Sequence, residues 1–329
     1  MRPALFKTRI TELLGIRHPI LGGGLMWLAD ANFVGALVNA GGFGFITPRS
    51  FGSDEAYREQ LRKCRAITGG KPFGVNLYIS ARPEENAALA RFADIALEEG
   101  VRHFETAGFL PEAILPKLKA AGAIVIHKVT QLRHALAAER AGVDAITIVG
   151  MECGGHPGLN TVPASVLAAI GAGRLRVPVL TAGGIGSGRQ IVAALASGCD
   201  GVLMGSRLVV ASEIPAHPAY KQHLLTRDEN ASRVVLQAVK NTYRVLDNAT
   251  ARKVAELETQ GVRDYAALMP LIKGTEAKAA YDSGDFERGI LSIGPAVAFA
   301  DRIEPVEAIF DRLIDQAAEA MAGLRTAAA

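Results

Sequence analysis

The chain has 329 residues, 49% hydrophobic and 21% charged, which is room for one large globular domain with a smaller appendage. The net charge of +3 comes from scattered basic residues, with no Lys/Arg run interleaved with aromatics, so a nucleic-acid partner is not expected. Cys64, Cys153 and Cys199 form neither a CxxC pair nor a disulfide framework. The first eleven residues hold no apolar signal core, and no apolar run reaches the ~18 residues of a membrane span. A cytoplasmic enzyme without a membrane partner is expected.

In chain order, short apolar runs alternate with helical stretches. Pro19–Gly24 opens the series, followed by a helix from Ala31 to Ala40 with Asp30 as N-cap and Gly41 as stop. Phe43–Thr47 is the second strand and Asp54–Ile67 its helix. Phe73–Tyr78, Val101–Thr106, Ala123–Lys128 and Asp144–Val149 follow, with helices over Glu84–Glu99, Pro111–Ala121 and Gln131–Ala141 between them. After a long glycine-rich loop come a helix near Pro163–Ile170, a strand at Val177–Thr181, a helix at Gly188–Ser197 and an eighth strand at Gly201–Met204. Glycine stops at Gly100, Gly122, Gly142 and Gly198 each feed a strand.

Eight strand–helix units with runs apolar on both faces predict a parallel sheet closed as a (β/α)8 TIM barrel over residues 1–219. A doubly wound open sheet is the alternative. Glycine-rich turns after strands one, six, seven and eight favour the barrel, whose ligand groups come from the C-terminal strand ends. Residues 220–285 are more polar and predict a small helical insertion, with helices near Ser232–Val239, Ala249–Gln260 and Gly274–Tyr281. Residues 286–329 include an amphipathic helix, Val306–Leu324, suited to packing on the barrel.

Four places carry candidate chemistry. Thr181-Ala182-Gly183-Gly184-Ile185 and Met204-Gly205-Ser206-Arg207 follow strands seven and eight, where barrels commonly bind phosphate through backbone N–H groups. Gly22-Gly23-Gly24-Leu25-Met26 lets a planar ring lie on backbone. Asn76 and Tyr78 share a strand face, Glu105 ends strand four, and Lys128 places an ammonium among apolar strand ends, where it needs an anion or a polar ligand edge. His127 should point the other way, towards the helices. Gly150-Met151-Glu152-Cys153-Gly154-Gly155-His156-Pro157-Gly158 puts His156 on a loop, free to hydrogen-bond or exchange a proton. Cys153 lacks a fixed basic partner and is read as packing. No HxH, HExxH or carboxylate cluster suggests a metal.

Together, His18-Pro19-Ile20, Gly22–Trp27, Asn39-Ala40-Gly41-Gly42, Pro72–Asn76, Glu152–Gly158, Ala182–Ile185 and Met204–Arg207 resemble the nitronate monooxygenase (2-nitropropane dioxygenase) family, along nearly the whole barrel. That family also includes NADH:quinone reductases and flavin-dependent enoyl-acyl-carrier-protein reductases. Lys240-Asn241-Thr242 and Tyr281–Asp285 look most like its bacterial NADH:quinone reductase branch.

The resemblance implies a non-covalent FMN, its phosphate on Ala182, Gly183, Gly184, Gly205 and Ser206. Its ring would lie near Gly24, Leu25 and Met26, edged by Asn76, Tyr78 and Lys128. Gly154 would allow close approach, His156 would be catalytic, and Tyr281 would help wall the pocket. The family pattern has Gln where Gly22 stands, Met where Leu25 stands and, in some members, an acidic residue at Val149. The implied reaction is oxidation of an alkyl nitronate with O2 to a carbonyl compound and nitrite. The alternative is transfer from NAD(P)H, visiting the same pocket, to a quinone or enoyl compound. A flavin-free barrel lyase or isomerase acting on a phosphorylated metabolite, with Lys128 and His156 as acid–base groups, is the reading from another class. A non-catalytic binding protein explains the glycine loops less well. The sequence leaves a homodimer open.

Overall fold

In a computed structural model that describes residues 3–80, 82–159 and 161–327, eight parallel strands close into a barrel. The strands are β1 (Ile20–Gly22), β2 (Phe43–Ile46), β3 (Gly74–Ile79), β4 (His103–Gly108), β5 (Ile124–Val129), β6 (Ala145–Val149), β7 (Val179–Ala182) and β8 (Gly201–Met204). Each pairs with its sequence neighbour, and β8 pairs back onto β1 through Leu21↔Leu203. The expected (β/α)8 TIM barrel is what forms.

Local chemistry explains the alternation. Asp30 accepts from Asn32 and Phe33 N–H to start the helix Ala31–Asn39, and a Ser187/Gln190 capping box starts Gly188–Ala196. The glycines expected to stop helices, Gly100, Gly122, Gly142 and Gly198, all take left-handed backbone, with φ from +69° to +97°.

Packing then sorts each strand by parity. Leu21, Phe43, Phe45, Ile126, Ala145, Leu180 and Leu203 fill the barrel interior, and Ile10 and Leu14 of the N-terminal helix Arg9–Leu14 join them. Alternate residues such as Val75, Phe104, Val125, Ile146, Ile148, Val179 and Val202 meet the surrounding helices. His127 is on that outer side, as expected, its Nδ1 2.8 Å from Thr106 Oγ1. The C-terminal helix Val306–Ala327 packs against Gly188–Ala196 and Ala31–Asn39, so it fills the place in the ring that follows β8.

Between β8 and that last helix, the chain builds an appendage with its own small core of Val235, Leu236, Val245, Val254, Leu268, Ile272 and Ile290. The helix expected near Ser232–Val239 does not form. Ser232–Val235 is strand β9, paired antiparallel with β10 (Tyr243–Leu246) through Val235↔Tyr243. Val234 and Val235 are β-branched, which stiffens χ1 against the helix and suits a ribbon. Helices Ala249–Thr259, Tyr265–Ile272 and Gly274–Ser283 follow. Among the described residues, no helix is long and apolar enough to cross a membrane.

Candidate active site

The loop after β6 is fixed from both sides. Gly150 lies so close to Ala164 that a Cβ there would stand 2.2 Å from the Ala164 nitrogen. The Glu152 carboxylate accepts from the same N–H (3.0 Å), capping the helix Ala164–Ala172. From the appendage, β10 adds itself to the loop. Gly155 N–H donates to Arg244 O (2.9 Å), Arg244 N–H donates to Gly155 O (2.7 Å), and the Arg244 guanidinium donates to Met151 O. Gly154 faces the Ile293–Gly294 backbone, where a Cβ would stand 2.8 Å from two backbone atoms. Close approach at Gly154 is therefore between two loops of the chain.

This clamp aims His156. Its ring stacks on Tyr243, with centroids 4.2 Å apart and planes within 10°. Tyr243 is itself held by a 2.7 Å hydroxyl contact with Ser292. The imidazole is reachable from outside, yet it lies among protein walls whose desolvation lowers its pKa to about 4. At neutral pH it is an uncharged imidazole with one N–H donor and one acceptor nitrogen. Burial pushes the neighbouring Cys153 thiol up to about 11, and its Sγ sits 2.9 Å from Gly154 O, which fits the packing role.

Across the barrel mouth, inward positions of adjacent strands bring Asn76 (β3), Glu105 (β4) and Lys128 (β5) together. Asn76 Nδ2 and Lys128 Nζ donate to Glu105 Oε2 at 2.5 and 3.1 Å, and Gly24 N–H donates to the same oxygen at 3.0 Å. The anion that Lys128 needs is therefore Glu105. The turn after β1 closes on this group, since a Cβ at Gly24 would stand 2.4 Å from Asn76. Leu25 and Met26 continue that turn, and the Met26 sulfur is 3.7 Å from Ser50 Oγ. Tyr78 stands exposed at the end of β3, and Arg82 lies over the Tyr265 ring, 5.4 Å from its centroid.

At β7 and β8, Ala182 ends a strand and Gly183 and Gly184 turn away with φ of +104° and +75°. The Ser206 hydroxyl oxygen accepts from Gly294 N–H (2.8 Å), which leaves its own proton free to donate. Among the described residues, no backbone acceptor pairs with the N–H groups of Gly183, Gly184, Gly205 or Ser206. Gly205 has only Leu25 within 4 Å of where a side chain would start. Two adjacent strand ends thus present N–H donors without a backbone partner, with open space at Gly205, the kind of donor set a phosphate needs. Inside the mouth, Glu105 Oε1 and Thr147 Oγ1 are buried without a partner. The donors after β7 and β8 and the unpartnered oxygens inside the mouth would both suit a flavin nucleotide.

Tyr281 is buried behind this arrangement, its ring edge-on to Tyr220 at 5.1 Å. Sequence reasoning passed over Tyr243, Arg244, Ser292 and Gly294. Only the apolar alternation of Tyr243-Arg244-Val245-Leu246 could have flagged the first two, as a strand. A polar cleft of about 220 Å³ between Arg227, Asp247 and Arg252 lies in the appendage and contains none of the expected site residues.

A family model described as nitronate monooxygenase matches residues 7–316. A Mycobacterium tuberculosis (strain ATCC 25618 / H37Rv) protein named (3aS,4S,5R,7aS)-5-hydroxy-7a-methyl-1-oxo-octahydro-1H-indene-4-carboxyl-CoA dehydrogenase is 32% identical over 252 residues, covering 75% of this chain and 68% of the relative. A probable nitronate monooxygenase of Staphylococcus saprophyticus is 27% identical over 315 residues, 83% of this chain and 88% of its own. The solved structure of FabK from Thermotoga maritima superposes with a TM-score of 0.89 at 31% identity, covering 98% of this chain and 99% of that one.

Proposed function

Because the chain belongs to the nitronate monooxygenase family and is a flavin-dependent oxidoreductase, we propose that it holds FMN at the barrel mouth and oxidises alkyl nitronates with O2 to a carbonyl compound and nitrite. The flavin, when bound, supplies the electron-accepting chemistry. Gly183, Gly184, Gly205 and Ser206 would hold its phosphate with the N–H groups left unpaired at β7 and β8. Ala182 would lie beside them. Gly24, Leu25, Met26, Asn76, Tyr78 and Lys128 would seat and edge the ring. Gly154 would keep the His156 loop close, and Tyr281 would back the pocket wall.

The observation that carries the nitronate reading is the fixed placement of His156 on the loop after β6, its ring stacked on Tyr243 with centroids 4.2 Å apart. A nitronate arrives as an anion, already deprotonated at carbon, so it needs a hydrogen-bond donor and no proton from the enzyme. An imidazole whose pKa is about 4 supplies that donor at neutral pH and is a poor acid there. Stacking on Tyr243 fixes the plane in which the N–H points.

A second reading keeps the same seat and uses NAD(P)H to reduce a quinone or an enoyl compound. One observation favours it. Met26, Tyr78, Phe109 and Leu159, in β3 or in the segments that follow β1, β4 and β6, are all exposed, so the C-terminal side of the barrel carries more apolar surface than a small nitronate requires. Similarity to FabK and to a dehydrogenase of a carboxyl-CoA compound points the same way.

Anaerobic mixing separates the two readings. The yellow protein is mixed in turn with propionate 3-nitronate, NADH and NADPH. Bleaching by the nitronate alone supports the first reading. Bleaching by a nicotinamide alone replaces it with the second, and no bleaching by any of them sinks both.

A further inference from the structure

The barrel interior is filled by apolar side chains from β1, β2, β5, β6, β7 and β8, the usual content of this fold. Glu105 departs from that rule. Its side chain is 0% exposed, yet three donors from three separate elements converge on one of its oxygens. They are the Gly24 N–H from the β1 turn, the Asn76 amide from β3 and the Lys128 ammonium from β5. The other oxygen, Oε1, has no partner. Thr147, next to Lys128 in the β5–β6 register and facing the same interior, also has an unpartnered oxygen.

A buried carboxylate is costly to desolvate, and apolar residues would fill the space more stably. Its three contacts are therefore informative, because each is made to a residue of the ring seat proposed above. Lys128 remains 18% exposed, so the cation of the pair, and not the anion, reaches the mouth.

We propose that Glu105 is the positioning and charge-balancing residue of the flavin seat. It aligns Gly24, Asn76 and Lys128 through a single oxygen, and its negative charge offsets that of the Lys128 ammonium. The consequence follows from charge alone. Reduction adds negative charge to a flavin ring, and an unbalanced ammonium beside it favours the reduced form. With Glu105 in place that bias is held down, and the bound flavin keeps a potential low enough to pass its electrons on. The inference rests on the flavin seat of the preceding subsection and is independent of the substrate.

The test compares FMN-loaded wild-type protein with Glu105→Gln, Lys128→Met and the double variant. The readout is the midpoint potential of the bound flavin, measured by anaerobic equilibration against a reference dye. FMN affinity and circular dichroism are followed in parallel. Glu105→Gln should move the potential to a more positive value, with reduced flavin gaining about tenfold in binding over oxidised flavin, ~30 mV for a two-electron couple. Lys128→Met should move it to a more negative value, and the double variant should lie between the two. A purely packing role for Glu105 predicts lost stability or FMN affinity with an unmoved potential. That result in a yellow Glu105→Gln protein overturns the proposal, as does a shift of both single variants in the same direction. If Glu105→Gln fails to hold FMN, Lys128→Met decides alone, since an unchanged potential there leaves no ammonium to balance. Wild-type protein that takes up no flavin sinks the flavin seat itself and this inference with it, whereas an unmoved potential in yellow variants sinks this inference only.

Discussion

At the scale of single residues, the proposed reaction turns on His156, whose ring stacks on Tyr243. Replacing His156 with Ala should leave FMN bound and lower kcat by about 10²-fold, the usual size of a lost proton-handling or orienting group. Stopped-flow turnover alongside the flavin spectrum checks this, and loss of FMN with unchanged turnover of the remaining holoenzyme would show that His156 serves the cofactor instead. The pH profile follows from the direction of the shift. Desolvation lowers the His156 pKa to about 4, so its uncharged form prevails at and above neutral pH. Turnover should be flat from about pH 6 to 8 and fall as pH approaches 4. A fall centred near pH 6.5 would mean that the imidazole is not desolvated. Tyr243→Ala removes the stacking partner and should lower kcat without changing FMN affinity, because Tyr243 touches the histidine and Ser292 rather than the phosphate loops.

At the scale of elements, the site depends on loops from distant parts of the chain packing without side chains between them. Gly183 has φ +104°, and a Cβ there would also stand 3.1 Å from Cys153 N. Gly183→Ala should cost about 1–2 kcal/mol in local strain and weaken FMN binding by roughly tenfold. Fluorescence of released FMN against protein concentration measures the change, and unaltered affinity would place the phosphate elsewhere. The appendage enters the site through β10, whose backbone exchanges two hydrogen bonds with Gly155. The ribbon thus borders the His156 loop, so its replacement of the expected helix at Ser232–Val239 bears on the proposed site. A helix there would have left β10 without its antiparallel partner.

At the scale of the whole molecule, buried neutral histidines predict acid sensitivity. His18 and His127, each 1% exposed, have pKa values lowered to about 4, chiefly by desolvation. In the unfolded chain these groups titrate near 6.5. Below that pH the unfolded state takes up protons that the folded state refuses. The stability they provide is therefore whole above about pH 6.5 and is lost as pH falls towards 4. Each could contribute on the order of 3 kcal/mol at most. Urea midpoints at pH 7 and pH 4.5 should show a marked loss, smaller in His127→Gln, whose amide keeps a hydrogen-bonding group near Thr106. An equal loss in that variant would place the acid-sensitive groups elsewhere.

Much of the architecture was legible in the sequence because it is local. Strand parity, helix caps and the glycines after helices act over a few residues, so eight repeats of one pattern determined the barrel, its C-terminal mouth and the paired glycine turns after β7 and β8. Lys128 also announced its need for an anion. Tertiary structure alone decided which anion answered, because Gly24 and Glu105 are 81 positions apart and Lys128 and Glu105 are 23 apart. It likewise decided that Tyr243 would back His156 and that Arg244 would hold Met151, 93 positions away. Such contacts depend on barrel closure and on the return of the appendage over the mouth. Neither leaves a period or a spacing in the sequence, since each is fixed only when distant backbone and side-chain groups must satisfy one another in a shared buried space.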